Sequence, residues 1–455
     1  MRIQSIVPAI VIAGTILFAP TGAIAQTPAL TLADAVRYAL AHNPTVAQQV
    51  AALTQAQNAL AKQEGQTFPI VSAQVQSQLN KVSPSYGGSF QIIGAQQPQV
   101  YSQNTAQIYT QYQLNAGGLG LLQLGEAKAQ VDQAAANLKR TREQIAATVT
   151  AAFYGIAQKN AIVSIDSSDL GYQTILLQNA QAKEKAGVAA GVDVLRAQVA
   201  QEKSKSTLVA DKASVLNAQE SLAQSIGAPV ESAFALPQVI AQPDLPKGSV
   251  ETLISIAQNT RPDIRSAEFG VRNAQLARKG FDRELFPQLQ ISGSFGNQFS
   301  PTNTALLPPN TPRGVPGYWA LGVTTTFTLP LVDYGARHTE RANDDAAIAS
   351  AQATLDAAKG QVEIDVRQNY RAALTAQAQL AYAQDESRLG IEAARIAQLQ
   401  YQNGIIALSD VAQAEQTSVT AQSDLINARV NYVNAIVNLR VALGTYDAES
   451  AVAGL

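Results

Sequence analysis

The chain has 455 residues, a formal net charge of -2 and 15% charged residues, against about 25% in an average soluble domain. The balance gives no basic excess for a nucleic-acid partner, and Gln, Asn, Ser and Thr stand where charge is missing, a polar neutral surface that suits a water-filled lumen. No cysteine occurs, which excludes disulfides, thiolate metal sites, a cysteine nucleophile and an N-terminal lipid-modified cysteine.

The two histidines, His42 and His338, fall in different halves. No HExxH, G-x-x-x-x-G-K-[ST] or G-x-S-x-G pattern is present. The expectation is no catalytic residue, no metal and no cofactor.

At the N-terminus Arg2 precedes an apolar stretch from Ile6 to Ala19, and Ala23-Ile24-Ala25 offers a small-x-small cleavage site. This pattern predicts a cleaved signal peptide over residues 1–25. The apolar run of about 14 residues is too short for an uncleaved anchor, which needs roughly 20. No later segment has an apolar run of spanning length, so any membrane span must belong to a closed β-barrel.

A short helix is predicted over Leu32–His42, followed after Pro44 by a helix over Thr45–Glu64 with the 3.6-residue period. Phe68-Pro69 ends it, because proline cannot continue a helix. A β-hairpin follows over about 70–114. Val71, Ala73, Val75 and Leu79 alternate with Ser72, Gln74, Gln76 and Gln78; Ala106, Ile108, Tyr112 and Leu114 alternate with Gln107, Tyr109, Gln111 and Gln113. A long helix is expected over about 121–185, broken by Gly187, and a return helix over about 192–225, ended by Gly227-Ala228-Pro229. Residues 26–229 form a first structural repeat and 230–249 a linker.

The same order recurs over residues 250–446, before a short tail at 447–455. Helices are predicted over Val250–Asn259 and Asp263–Arg283, a hairpin over about 288–329, a long helix over about 336–402 and a return helix over about 409–443. In the second hairpin Leu289, Ile291 and Phe295 oppose Gln288, Gln290, Ser292 and Ser294, and Trp319, Leu321, Val323, Phe327 and Leu329 oppose Gly322, Thr324, Thr326 and Thr328. Pro44 and Pro262 lie 218 residues apart, as do Phe68 and Phe286. Downstream, Gly118 and Gly335, Gly187 and Gly404, Asp193 and Asp410, and Gly227 and Gly444 all lie 217 apart. A near-constant offset that carries proline and glycine with it marks an internal duplication rather than chance similarity among Ala-rich helices.

A helix of about 65 residues is about 97 Å long, far beyond the average of about 11 residues. The two shorter helices of each copy, end to end, nearly match it, which predicts an antiparallel palisade; taken alone this also fits an ordinary coiled-coil bundle. The strands are of membrane length, about 10 to 12 residues, with a polar face almost free of charge. Tyr112, Phe295, Trp319 and Phe327 are candidate membrane-interface aromatics. The connections, Lys81–Asn104 and Ser300–Gly317, are rich in Pro, Gly, Ser and Asn, like the outer loops of membrane barrels and longer than soluble hairpins use. Four strands cannot close a barrel, so copies must share one: two would give eight strands and three would give twelve.

These patterns resemble the TolC-type outer-membrane efflux proteins along essentially the whole mature chain. The resemblance is carried by the duplicated helix-strand-strand-helix-helix order and by local runs: Thr31-Leu32-Ala33-Asp34-Ala35 before Asn43-Pro44, Phe68-Pro69, Leu331-Val332-Asp333-Tyr334-Gly335, and Tyr401-Gln402-Asn403-Gly404 through Ser409-Asp410-Val411. It implies a mixed α and β membrane fold, a homotrimer with a 12-stranded β-barrel continuous with a long α-helical periplasmic tunnel. The 230–249 linker would lie in the tunnel's equatorial region. It further implies an exit duct in outer-membrane lipid, partnered by a periplasmic adaptor (a membrane fusion protein) and, through it, by an inner-membrane pump or type I secretion system. Gly187, Gly191, Asp193, Gly404, Ser409 and Asp410 fall at the implied tunnel tips, as adaptor contacts or as helix ends and caps. Some members ring the tunnel mouth with Asp; here the stretch reads Glu392 to Gln398 with Arg395, so Glu392 and Arg395 are a candidate tip gate or a local i,i+3 ion pair. The competing class is a periplasmic helical-hairpin adaptor or structural protein, which would lack lipid-facing strands.

Overall fold

The computed structural model describes residues 30–82, 99–115, 118–187, 190–237, 240, 242–284, 286–300, 315–328 and 335–446. The expected signal segment (1–25), the C-terminal tail, Leu329 and the run 331–334 lie outside them.

Each copy opens on a short capped helix. Thr31 accepts a hydrogen bond from the Asp34 backbone N–H at 3.2 Å while Asp34 accepts one from the Thr31 N–H at 3.3 Å, a capping box that starts α1 (Leu32–His42). Asn43 caps α2 (Pro44–Gly65) by accepting from the Thr45 N–H, with Pro44 at the first helical position where its missing N–H costs nothing. β1 (Ile70–Val82) and β2 (Gln99–Asn115) follow, then α3 (Leu119–Lys185, 67 residues) and α4 (Gly191–Ile226). The second copy repeats this as α5 (Val250–Thr260), α6 (Pro262–Glu284), β3 (Gln288–Ser300), β4 (Val315–Thr328), α7 (Ala336–Gln402, 67 residues) and α8 (Leu408–Ala442). At about 1.5 Å per residue each long helix spans roughly 100 Å.

The strands run longer than expected, 13, 17, 13 and 14 residues. Residues Lys81 and Val82, Gln99–Asn104 and Val315–Gly317, expected in the connections, belong to the ladders. Backbone pairing continues outward after the apolar alternation lapses, and sequence alternation reports only the half-buried part of a strand.

The duplication is visible in backbone geometry. Gly118 and Gly335, Gly187 and Gly404, and Gly227 and Gly444 all have positive φ, between 66° and 89°. The pairs start the long helices, turn the tips and end the return helices, where a Cβ would meet the following carbonyl.

Packing repeats likewise. One core joins α1, α3, α4 and α8 through Val36, Ala39, Val149, Phe153, Leu222 and Val433; a second joins α5, α6, α7 and α8 through Ile254, Ala257, Val366, Leu439 and Ile436. Ala39 and Ala257, Val149 and Val366, and Leu222 and Leu439 are repeat equivalents, all nearly or fully buried. The repeats are not independent, because α3 packs along α8 as well as along α4. Between the cores lies a buried ion-pair hub. Arg261, 5% exposed, donates to Asp263 at 2.6 and 3.0 Å and to Asp365 at 2.8 Å; Arg140 of α3 also pairs with Asp263.

Candidate functional site

The four strands form one antiparallel sheet in the order β1-β2-β3-β4. β2 pairs with β3, so the hairpins of the two copies merge, and the outer edges of β1 and β4 pair with no described strand. The register sorts side chains cleanly. Val75, Ala106 and Trp319 share one face with Ala73, Ile108, Phe295 and Leu321, and with Val71 and Val323. On the opposite face Gln74 and Gln107 pair in one rank, and Ser72, Tyr109, Ser294 and Gly322 form the next. Val75 is 84% and Leu321 78% exposed, a degree of apolar exposure that water does not tolerate over a whole face. On the polar face Gln107 donates to Gln74 at 3.0 Å and Gln113 to Gln288 at 3.2 Å, uncharged amide pairs that keep that face wet without fixed charge.

The candidate aromatics all lie on the apolar face. Phe295 and Trp319 stack with ring centres 5.2 Å apart, a cross-strand pair that clamps β3 to β4. Phe327 is exposed beside Leu289, and Tyr112 pairs with Ile291 toward the helical end. Gly296 has a local reason: opposite Gln107, a Cβ there would overlap the Ala106 carbonyl and the Gln107 backbone. Only glycine permits this approach of the joining strands.

At the other end the chain turns twice. α3 ends at Lys185 and turns through Gly187; α7 ends at Gln402 and turns through Gly404, where Gly404 N–H donates to Tyr401 O and Ile405 N–H to Gln400 O. This pair of bonds is a Schellman closure. The return helices begin at Gly191 and Leu408, with Ala190 and Ala407 as N-caps and no side-chain cap. The expectation that Asp193, Ser409 or Asp410 caps these helices is therefore corrected. Both helices start earlier, and the three side chains lie inside the first turn, where Asp193 and Asp410 oppose the positive end of the helix dipole. Gly191 sits against Glu184, whose Oε1 would lie 2.9 Å from a Cβ added there. Ser409 and Asp410 are exposed. Asp193 pairs with Arg196 at 3.7 Å and its charge helps push the Tyr401 phenol up, after burial.

Glu392 and Arg395 form a bidentate pair at 2.7 and 2.9 Å on the exposed face of α7, and the guanidinium hydrogen bonds hold the Glu392 carboxyl below its usual range. The local ion-pair reading of these two residues matches the observed geometry.

Three features had no signal in the sequence. Lys183 of α3 reaches across to Tyr401 of α7, tying the two tips around a small apolar cluster of Leu176, Ala180, Val194, Leu408 and Val411. The Arg261 hub joins residues about a hundred positions apart. Glu143, buried on α3, has its carboxyl pushed up to about 7 by burial, against the pull of Lys139 and Arg140.

Comparison with known proteins bears on this architecture. The family model described as outer membrane efflux protein matches twice, over residues 35–228 and 253–445, and the two matches start 218 and end 217 residues apart. A search of curated proteins found no match. Among solved structures the chain is similar to the outer membrane protein VceC from Vibrio cholerae, at 18% identity and TM-score 0.73, covering 91% of this chain and 96% of that one. It is similar to the Campylobacter jejuni CmeC outer membrane channel, at 15% identity and TM-score 0.74, covering 97% and 95%. It is similar also to the open state of the Neisseria gonorrhoeae MtrE outer membrane channel, at 20% identity and TM-score 0.72, covering 91% and 89%. With a duplicated fold, an exposed apolar sheet face and both halves matched, this chain belongs to the outer membrane efflux protein family, the TolC-type channels, which are not enzymes.

Proposed function

We propose that three copies of this chain form an outer-membrane exit duct, a 12-stranded barrel continued by a periplasmic helical tunnel, serving a tripartite efflux pump or type I secretion system. The observation that carries this reading is the sheet. Among the described residues it has four strands, two unpaired edges and one exposed, largely apolar face, interrupted by polar uncharged residues such as Thr110, Asn297 and Thr325. In lipid an unpaired edge costs several kcal/mol for each bare backbone group, so β1 of one copy pairs with β4 of the next. Three copies leave a lumen lined by Gln, Ser, Thr and Gly; two would leave an interior filled by side chains.

The helices support the same count. Within the chain α3 packs on α8. A 217-residue shift turns α3 into α7 and α8 into α4, so α4 of one copy packs on α7 of its neighbour. Both helices carry exposed apolar lines for this contact: Leu195, Val199, Val209 and Leu216 on α4, and Tyr382, Leu389 and Ile396 at seven-residue spacing on α7.

The tips built by Gly187, Gly191, Asp193, Gly404, Ser409 and Asp410 meet a periplasmic adaptor, which couples the duct to an inner-membrane pump; Glu392 and Arg395 line the approach to the tip. The chain reaches the outer membrane through a cleaved signal peptide and without a lipid anchor. The barrel end faces outward and the tips face the periplasm. Light scattering with negative-stain images of detergent-purified protein tests the assembly. A trimeric rod of about 100 Å or more, as the helix length requires, supports the duct. A soluble monomer or dimer without detergent overturns it in favour of a periplasmic adaptor or structural protein. Asp193→Arg combined with Asp410→Arg impairs export and leaves the trimer intact; normal export by that variant sinks the adaptor contact.

A further inference from the structure

Above the tips, where α3, α4 and α8 meet, the packing is unusual. Asp166 of α3 is 7% exposed and its Oδ2 has no partner. The Asp211 carboxyl of α4 faces it, so a like charge rather than a cation stands beside this buried acid. Two turns nearer the tip Gln173, 9% exposed, donates from Nε2 to Asp169 at 3.0 Å. Gln173 Oε1 is left as a buried acceptor without a donor. Tyr172 OH and the buried Ser204 Oγ of α4 are also unpartnered. Four of the eight such buried atoms among the described residues thus fall in this one seam.

We propose that this seam is a proton-responsive joint: its buried acids hold α3, α4 and α8 together when protonated and loosen them when ionised. The titratable groups that face one another here are Asp166, Asp169 and Tyr172 from α3, Asp211 from α4, Glu415 from α8 and, at the tip end, Tyr401 from α7; among the described residues the one cation in contact with them is Lys183 of α3, which sits on Tyr401. No three acids or histidines among the described residues converge as metal ligands, so relief of the charge falls to protons, water or separation of the helices. Burial, then the hydrogen bond and charge of Asp211, push the Asp166 carboxyl up to about 6; burial and the Asp169 charge push Glu415 up to about 6. Both groups bind a proton more tightly in the packed seam than in the open one. The seam is therefore tightest below the ordinary carboxyl range and weakens as pH rises to about 6. α3 runs from Asp166 to the tip over a further 19 residues, roughly 30 Å, so loosening here moves the tip. The joint is a property of one chain's packing and stands apart from the assembly proposed above.

The test is hydrogen exchange of the full chain in detergent at pH 5 and pH 8, expressed as protection relative to the intrinsic rate. Protection of residues 160–178 and 204–216 is expected to fall by roughly tenfold for each carboxyl that titrates, with residues 355–380 of α7 unchanged. Asp166→Asn, which keeps a donor toward Asp211, flattens this response, and Asp211→Asn flattens it from the other helix. Equal protection at both pH values, an equal fall in α7, or an unchanged response in both variants overturns the joint.

Discussion

The Lys183 ammonium lies 3.7 Å from the centre of the Tyr401 ring and donates a 2.7 Å hydrogen bond to the carbonyl of the same residue. These residues end α3 and α7, so one side chain joins the tips of both repeats. A cation over an aromatic face contributes about 0.5–2 kcal/mol, and a charge-assisted bond to a carbonyl about 1.5–3. Lys183→Met is expected to loosen the tips, seen as faster nicking by subtilisin between residues 180 and 190 and as larger conductance in planar bilayers. Tyr401→Leu removes the ring but keeps the carbonyl and should show a smaller effect. Equal rates for wild type and Lys183→Met would remove the latch.

Arg261 anchors α6 to α7 through two carboxylates, and Arg140 adds α3. Arg261→Met leaves Asp263 and Asp365 facing each other across the seam without their shared cation. The expected cost is about 3–5 kcal/mol, read as a lowered thermal midpoint. Lysine should not restore it, since its single ammonium cannot reproduce the fork that engages both acids.

Glu143, buried on α3, sets a second pH dependence. Its folded pKa, about 7, lies above the ordinary value of 4.5, so the folded chain holds this proton more tightly than the unfolded one. The stability this group contributes is fully present below about pH 4.5 and is lost as pH rises toward 7. Glu143→Gln removes that loss and should be the more stable protein at pH 8 by about 2–3 kcal/mol, with little difference at pH 4.5. Thermal midpoints of the two proteins at both pH values decide this.

Gly296→Val places a branched side chain against the Ala106 carbonyl at the β2–β3 seam. The two hairpins then cannot align. Severalfold less heat-modifiable protein should reach the membrane fraction, consistent with the cost of a misfit in a sheet. Gly322→Val, which meets only the Ser294 hydroxyl at 3.1 Å, should be milder.

Leu389→Glu puts a charge in the middle of the exposed apolar line on α7. Trimers should dissociate at lower detergent or temperature while the single chain keeps its helicity, since Leu389 is exposed in the chain alone. Native mass and circular dichroism measured together separate these two effects.

Periodicity made the fold legible. Proline at 44 and 262, the paired glycines and the two-residue alternation of the strands are local signals, and each matches an element. The caps of the return helices are not legible, because Ala190 and Ala407 hold the cap position by backbone conformation alone, which no side chain announces. The strand ends are illegible for a related reason: residues 99–104 pair through main-chain atoms. Lys183, Arg261 and Asp166 carry no local signal at all, since their partners lie on other helices and only packing brings them together.

Both long helices contain 67 residues, and this equality constrains how such a chain changes over time. One inserted residue lifts everything beyond it by about 1.5 Å and turns it by about 100°, shifting one tip against the other. A seven-residue insertion, about 10 Å and close to two whole turns, restores the buried face but still leaves the tips at unequal heights. It also leaves the return helix short. Length in this fold is inherited in matched sets of four changes, one in each long helix and one in each return helix, and a lineage that altered one alone would be left with a lopsided end.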